Sequence, residues 1–131
     1  MANEISVSLS LTVSKGELYS NKQSTCTPTL NGNNRVGAAL TLPSGGSAVA
    51  LDLSSLATPG YMWAKNLDPV ENIMIGIEVA SVFYPSDLLK PGESMIKRIY
   101  PGAQPYAAIE YGGTGTGDDT TAVLDYEIFS D

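Results

Sequence analysis

The chain has 131 residues, of which 43% are apolar and 16% are charged, and its formal net charge is −7. This length suits one domain and this balance is typical of a globular protein, so we expect a single domain over residues 1–131. The excess of acidic residues repels phosphate groups and excludes nucleic acid as an expected partner.

Alternating apolar and polar residues, the pattern of β-strands, recur along the chain. The predicted strands, in chain order, are residues 5–13, 36–42, 48–53, 61–67, 73–79, 82–84, 95–100, 106–109 and 122–128. Glycine and proline interrupt them, and Pro91-Gly92 and Pro101-Gly102 each fit the centre of a type II turn. About eight or nine short strands with such breaks predict an all-β fold, an antiparallel β-sandwich that is jelly-roll-like.

The first predicted strand carries a row of small hydroxyl side chains: Ser6, Ser8, Ser10 and Thr12. Successive side chains of a strand point to opposite faces, so an apolar face lies behind this row and the strand is predicted to be half buried. The hydroxyl row is either solvated or a contact surface, because small side chains let a partner strand approach closely. Under the second interpretation, residues 1–14 form an N-terminal docking or exchanged strand.

Two aromatic residues, Tyr61 and Trp63, share one face of their predicted strand. If exposed, they form a platform for sugar stacking or an anchor for a protein interface. If buried, they belong to the core, and this second interpretation is favoured for the only tryptophan of a small β domain.

The sequence contains no histidine and one cysteine, Cys26. This excludes Ser-His-Asp and Cys-His catalysis and removes the commonest metal ligand, so we predict no catalytic residues, no metal and no cofactor. Three carboxylate pairs remain, namely Asp68 with Glu71, Asp118 with Asp119, and Asp125 with Glu127. We favour the interpretation that these carboxylates occupy solvated loop and strand positions, rather than a glycosidase site. The protein is therefore predicted not to be an enzyme.

No run of about 20 apolar residues is present, so no membrane partner is expected. The first residues also lack the basic and apolar regions of a secretory signal. We therefore expect synthesis in the cytoplasm.

Short motifs follow one another between residues 56 and 100. They are Thr58-Pro59-Gly60 before an aromatic strand ending in Asn66-Leu67-Asp68, then Ile73-Met74-Ile75-Gly76, then Leu89-Lys90-Pro91-Gly92-Glu93, and the apolar strand Met95–Tyr100. This series resembles a group of small virion structural proteins of tailed bacteriophages. The resemblance covers residues 56–100 and, more loosely, the last strand, whereas residues 1–55 carry little of it and segment 112–119 is longer than the family pattern.

The resemblance implies a bacteriophage virion protein, made in the host bacterial cytoplasm and located on the capsid surface. Within that class, the small size suits a capsid decoration (cement) protein, a homotrimer that binds and stabilises the outer face of the major capsid protein shell. Its contact residues are then sought among Ser6, Ser8, Ser10, Thr12, Tyr61 and Trp63. The alternatives are a tail, baseplate or head-fibre module that binds host glycans, and a glycan hydrolase that uses carboxylates alone.

Overall fold

In the computed structural model of the protein, the described residues are 5–29, 32, 34–110 and 120–131. Their strands are β1 (Val7–Lys15), β2 (Leu18–Cys26), β3 (Arg35–Leu42), β4 (Val49–Ala50), β5 (Pro59–Asn66), β6 (Ile73–Val79), β7 (Val82–Leu89), β8 (Ser94–Arg98), β9 (Tyr106–Ile109) and β10 (Ala122–Ser130). A single 3-10 turn, Ser44–Gly46, is the only helical element described. None of the described residues belongs to a helix long and apolar enough to cross a membrane. The all-β prediction is confirmed.

The chain divides into two compact units, Met1–Asn31 and Gly32–Asp131. The first contains β1 and β2, which pair antiparallel from Val7 opposite Cys26 to Lys15 opposite Leu18. We call this pair the β1–β2 ribbon. The sequence pattern did not predict β2, because most of its residues are polar and exposed on both faces, so no alternation marks it. The prediction of one domain over residues 1–131 stays a prediction.

The second unit consists of two four-stranded sheets. The first sheet has the strand order β3-β10-β5-β8 and the second sheet the order β4-β9-β6-β7. All of their strand pairs are antiparallel. One apolar core receives side chains from both sheets, the largest fully buried ones being Leu42, Leu51, Met62, Ile73, Ile75, Ile109, Leu124 and Ile128. The unit is therefore a β-sandwich, as predicted.

Strand β10 shows most clearly how the sequence specifies this sandwich. Its residues are alternately buried and half-buried over its whole length. Leu124, Tyr126 and Ile128 point into the core, while the charged residues between them point outward. The period-two pattern of the last predicted strand is thus confirmed, and β10 lies between β3 and β5 as an inner strand of the first sheet.

A fully buried amide, that of Asn66, connects segments that the chain separates widely. Its Nδ2 donates hydrogen bonds to the carbonyls of Glu71 (2.8 Å) and Leu89 (3.0 Å), and its Oδ1 accepts one from the N–H of Asp68 (2.8 Å). Asp68 in turn accepts from the N–H groups of Val70 and Glu71. Asn66 and Asp68 thus fix this turn by bonding to nearby backbone.

The backbone of Asn66 also binds the Pro91-Gly92 turn. The N–H of Asn66 donates to the carbonyl of Glu93 (2.9 Å), and the N–H of Gly92 donates to the carbonyl of Asn66 (3.1 Å). Gly92 has a φ of 80°, and the N–H of Glu93 closes the turn on the carbonyl of Lys90 at 3.0 Å. These are the features of the predicted type II turn, so two motifs that are far apart in sequence meet at one residue.

Gly76 is required by close packing. A β-bulge occurs where β6 pairs with β7 next to this residue. A Cβ atom at Gly76 would lie 2.1 Å from the carbonyl oxygen of Tyr84 and 2.7 Å from the Cα of Pro85. Backbone atoms cannot move aside as a flexible side chain would, so only glycine fits at this position.

We expect Asn66→Leu to lower the free energy of unfolding by roughly 2–4 kcal/mol, because it leaves two buried carbonyls and one buried N–H without their partner. Urea unfolding followed by circular dichroism measures the loss. The matched control is Asn34→Leu, since the Asn34 side chain makes one exposed hydrogen bond, to the carbonyl of Ser55. Its expected cost is below about 1 kcal/mol. Equal losses in the two variants would contradict the role given to Asn66.

Candidate binding surfaces

The predicted hydroxyl row lies on the β1–β2 ribbon. Ser6 precedes β1, while Ser8, Ser10 and Thr12 lie within it, and all four are exposed. The three strand residues face Thr25, Gln23 and Asn21 of β2. Over these residues, this face of the ribbon is a strip of small and amide side chains, and the exposed ring of Tyr19 lies beside it, opposite Ser14. Its role as an interface stays a prediction.

The opposite face of the ribbon is apolar and uncovered. Leu9 and Leu11 are 52% and 57% exposed, and Leu18, which follows the turn, is 61% exposed. Lys15 and Lys22 lie on the same face, opposite Leu18 and Leu11. The prediction of a half-buried first strand is wrong for most of its length: Val7 alone in β1 is buried and Val13 is half-buried. Alternation correctly placed the apolar residues on one face, but the pattern alone could not show that these side chains are exposed.

Tyr61 and Trp63 lie side by side on the outer face of the first sheet. Both are half-buried, while Met62 and Ala64, which point the other way, are fully buried. The register sets Trp63 between Glu127 of β10 and Ile96 of β8. The favoured interpretation of Trp63 as a core residue is therefore wrong. The shorter side chains of Met62 and Ala64 fill the narrow space between the sheets, and the wider rings occupy the outer face.

Charged side chains partly cover these aromatic rings. The guanidinium of Arg98 lies over the Tyr61 ring, 4.6 Å from its centroid, and Nη1 of Arg98 donates to Oδ2 of Asp131 at 2.8 Å. The hydrogen bond with Asp131 raises the pKa of Arg98 above its usual value. Beside Trp63, Arg35 donates to Glu127 at 2.7 Å. The surface left for a ligand or partner is thus mainly the ring of Trp63, since Tyr61 is already occupied by a cation.

The proposed carboxylate pairs have different surroundings. Asp125 and Glu127 are both half-exposed on the outer face of the first sheet, where Asp125 lies opposite Lys65 and Glu127 binds Arg35. Neither points into an enclosed cleft.

The pair of Asp68 and Glu71 stabilises the local fold. Asp68 accepts the backbone hydrogen bonds of its turn, and buried Glu71 accepts one from the Thr120 hydroxyl at 2.9 Å. The third pair, Asp118 with Asp119, lies outside the described residues, as does the segment 112–119 that exceeds the family pattern. Within the part of the chain that is described, no group of three or more acidic or cysteine side chains could hold a metal ion. Cys26 is exposed at the end of β2.

An ion pair joins the edges of the two sheets. Lys97 of β8 binds Asp87 of β7 at 2.5 Å, and the Ser86 hydroxyl donates to the same carboxylate oxygen at 2.7 Å. Partial burial of Asp87 opposes ionisation, but these hydrogen bonds outweigh it and lower the pKa of Asp87. The pair borders a cleft of about 130 Å³ lined by Gly76, Ile77, Ser86, Lys97, Arg98, Ile99, Tyr100, Ala103 and Pro105. Nothing in the sequence pattern indicates this cleft, because four separate segments form it.

Comparisons with protein families, with curated proteins and with solved structures gave no match to this chain.

We expect Asp87→Asn to lower the free energy of unfolding by about 0.5–1 kcal/mol near neutral pH, since both side chains of the ion pair are only 33% exposed. The pKa of Asp87 is lower in the folded than in the unfolded chain, where it is about 3.9. Its contribution is therefore complete above about pH 5 and disappears as the pH falls through the folded value.

Urea unfolding at about pH 7 and about pH 2.5 tests this expectation. The difference between wild type and Asp87→Asn should be present at the higher pH and smaller at the lower. Lys97→Met and the double variant complete a mutant cycle, which isolates the energy of the pair itself. A coupling energy of zero near neutral pH would rule out a stabilising role for the pair.

Proposed function

We propose that the protein is a structural component of a bacteriophage virion, a capsid decoration protein that binds the outer face of the major capsid protein shell. The observation that carries the proposal is the uncovered apolar face of the β1–β2 ribbon, with Leu9, Leu11 and Leu18 each more than half exposed. A two-stranded ribbon is marginally stable in water, so such a face is expected to be covered by a partner. The identity of that partner comes from the resemblance of residues 56–100 to phage virion proteins.

Two features of the second unit support this proposal. We infer that its sandwich is a jelly roll, because six of the seven connections between β3 and β10 pass from one sheet to the other. Jelly rolls are frequent among viral capsid and lectin domains, which bind other molecules without catalysis. In addition, Asp68 is engaged in a turn, and Glu127, Asp87 and Asp131 are engaged in ion pairs, an arrangement suited to a scaffold. We propose accordingly that the protein is not an enzyme, and that it acts on the capsid surface after synthesis in the host cytoplasm.

The first test is whether the protein belongs to the particle. Particles of the encoding phage, purified on a density gradient, should contain it in many copies by quantitative mass spectrometry. Its absence from intact particles would refute the proposal.

The second test locates the contact. Purified protein should sediment with empty capsids that lack it, and Leu9→Ser combined with Leu11→Ser should weaken this binding at least about tenfold, because two exposed leucines no longer reach an apolar partner. Leu88→Ser is the matched control, since Leu88 is 44% exposed on β7, outside the ribbon. Equal binding by both variants would place the capsid contact elsewhere.

A second candidate function is a tail, baseplate or head-fibre module that binds host glycans through the outer face of the first sheet. The observation that favours it is the half-exposed Trp63, with carboxylates of β10 within reach of sugar hydroxyls. We expect bacterial surface polysaccharides to change the fluorescence of the single tryptophan if this function is correct. Trp63→Ala should abolish binding measured by calorimetry, whereas Tyr61→Phe, which keeps the ring under Arg98, should retain it. No heat of binding with any polysaccharide would exclude this candidate.

A further inference from the structure

Strand β1 has one edge that no described strand occupies, because the ribbon contains β1 and β2 alone. Gly16 and Glu17 form a two-residue turn, so Lys15 and Leu18 flank it as a hydrogen-bonded pair. Hydrogen-bonded and non-hydrogen-bonded pairs alternate along antiparallel strands. The odd-numbered residues of β1 therefore bond to β2, and the even-numbered ones direct their N–H and C=O groups toward the open edge.

Over residues 5–14, this edge lacks the features that normally prevent strands from pairing with other chains, and Lys15 is the single charged residue of β1, at its last position. Charged side chains, prolines and bulges are the usual protection. Residues 5–14 contain no charged residue, no proline and no glycine. The pairing of β1 with β2 has no irregularity over its full length. The residues that face the open edge are small and exposed, among them Ser8, Ser10 and Thr12, so a second strand can approach closely.

The sequence of β1 is also complementary to itself. Counted outward from Ser10, the flanking residues are Leu9 and Leu11, then Ser8 and Thr12, then Val7 and Val13. An antiparallel partner of the same sequence, centred on Ser10, thus sets leucine opposite leucine, hydroxyl opposite hydroxyl and valine opposite valine. Residues directly opposite one another share a face of the sheet, so the apolar and hydroxyl faces of the two strands coincide.

We propose that β1 strands of two copies of this chain pair antiparallel about a two-fold axis at Ser10. The two ribbons then form one four-stranded sheet, in the order β2-β1-β1-β2. An interface in which the same surface of both copies meets is the usual form of a two-fold dimer. This proposal concerns how copies associate and does not depend on the proposed capsid binding.

The pairing resolves the instability of an isolated ribbon. Three or more strands with an apolar face are needed for independent stability, and the joined sheet has four. The contact adds about six backbone hydrogen bonds, from Ser8, Ser10 and Thr12 of each copy. Its new outer edges are the two β2 strands, each of which carries Lys22, a type of residue that protects edges. Association therefore stops at two copies.

The test is the mass of the isolated full chain by sedimentation velocity, from about 5 to about 200 μM, a range that covers weak and moderate affinities. Wild type should form dimers. Ser10→Lys should weaken dimerisation at least about tenfold, since it sets two ammonium groups opposite each other at the two-fold axis. Gln23→Lys is the matched control, because Gln23 lies directly opposite Ser10 within the ribbon and on the same face. It should remain dimeric.

Charge reversal tests the register. Ser10→Glu alone should also be monomeric, whereas an equimolar mixture of Ser10→Lys and Ser10→Glu should form dimers of one copy each, because opposite charges now meet at the axis. Circular dichroism of each variant verifies that the strands remain. A wild type that is monomeric over the whole range, a trimer as its only oligomer, or equal effects of Ser10→Lys and Gln23→Lys would each overturn the proposal. No capsid enters these measurements, so their failure leaves the proposed function to its own tests.

Discussion

The buried amide of Asn66 is the interaction on which the arrangement of the sandwich depends. The chain leaves the first sheet after β5 and enters the second at β6, and it returns from β7 to β8. Asn66 binds the carbonyl of Glu71, near the end of the first crossing, and that of Leu89, at the start of the second, while its backbone pairs with Glu93 and Gly92. One side chain thus aligns both crossings. Because each of its polar atoms is buried and satisfied, no other residue of similar size can replace it without leaving backbone groups unpaired.

The motifs from which we predict a resemblance to phage proteins are concentrated in residues with this kind of role. Asn66 and Asp68 hold one turn, Gly92 supplies the positive φ of another, and Gly76 permits the close approach of Tyr84. These residues specify how the strands are connected. Of the surfaces available to partners, the ribbon lies outside the motifs, whereas the outer face takes Trp63 and Ile96 from within them. The resemblance therefore bears on the scaffold, and the binding surfaces must be argued from exposure and charge.

How much the sequence could predict differs between the two units for a physical reason. In β10, alternation predicts the buried face because a second sheet covers it. In β6 it does so for Ile73 and Ile75 alone, since Ile77 and Val79, beyond the bulge at Gly76, are exposed. In β1 the same alternation is present, but Leu9 and Leu11 are exposed. Alternation shows which side chains share a face of the strand, but it does not show whether other residues cover that face. Strand β2 is mostly polar and exposed on both faces, so it shows no alternation from which it could be predicted. For Trp63, the sequence pattern predicts that its side chain shares a face of the strand with Tyr61. It does not show whether that face is the inner or the outer face of the sheet.

The net charge is distributed unequally between the two units. Residues 1–31 contain two lysines and two glutamates, so the net charge of −7 resides in residues 32–131, with five basic and twelve acidic side chains. Sandwiches of neighbouring copies therefore repel one another, whereas the neutral ribbons do not. Self-pairing would use the open edge of β1, and capsid binding would use the apolar face of the ribbon. One ribbon could therefore make both contacts at once. If both proposals hold, joining two ribbons would also double the apolar face presented to a capsid shell, and two linked contacts would strengthen binding without any new residue.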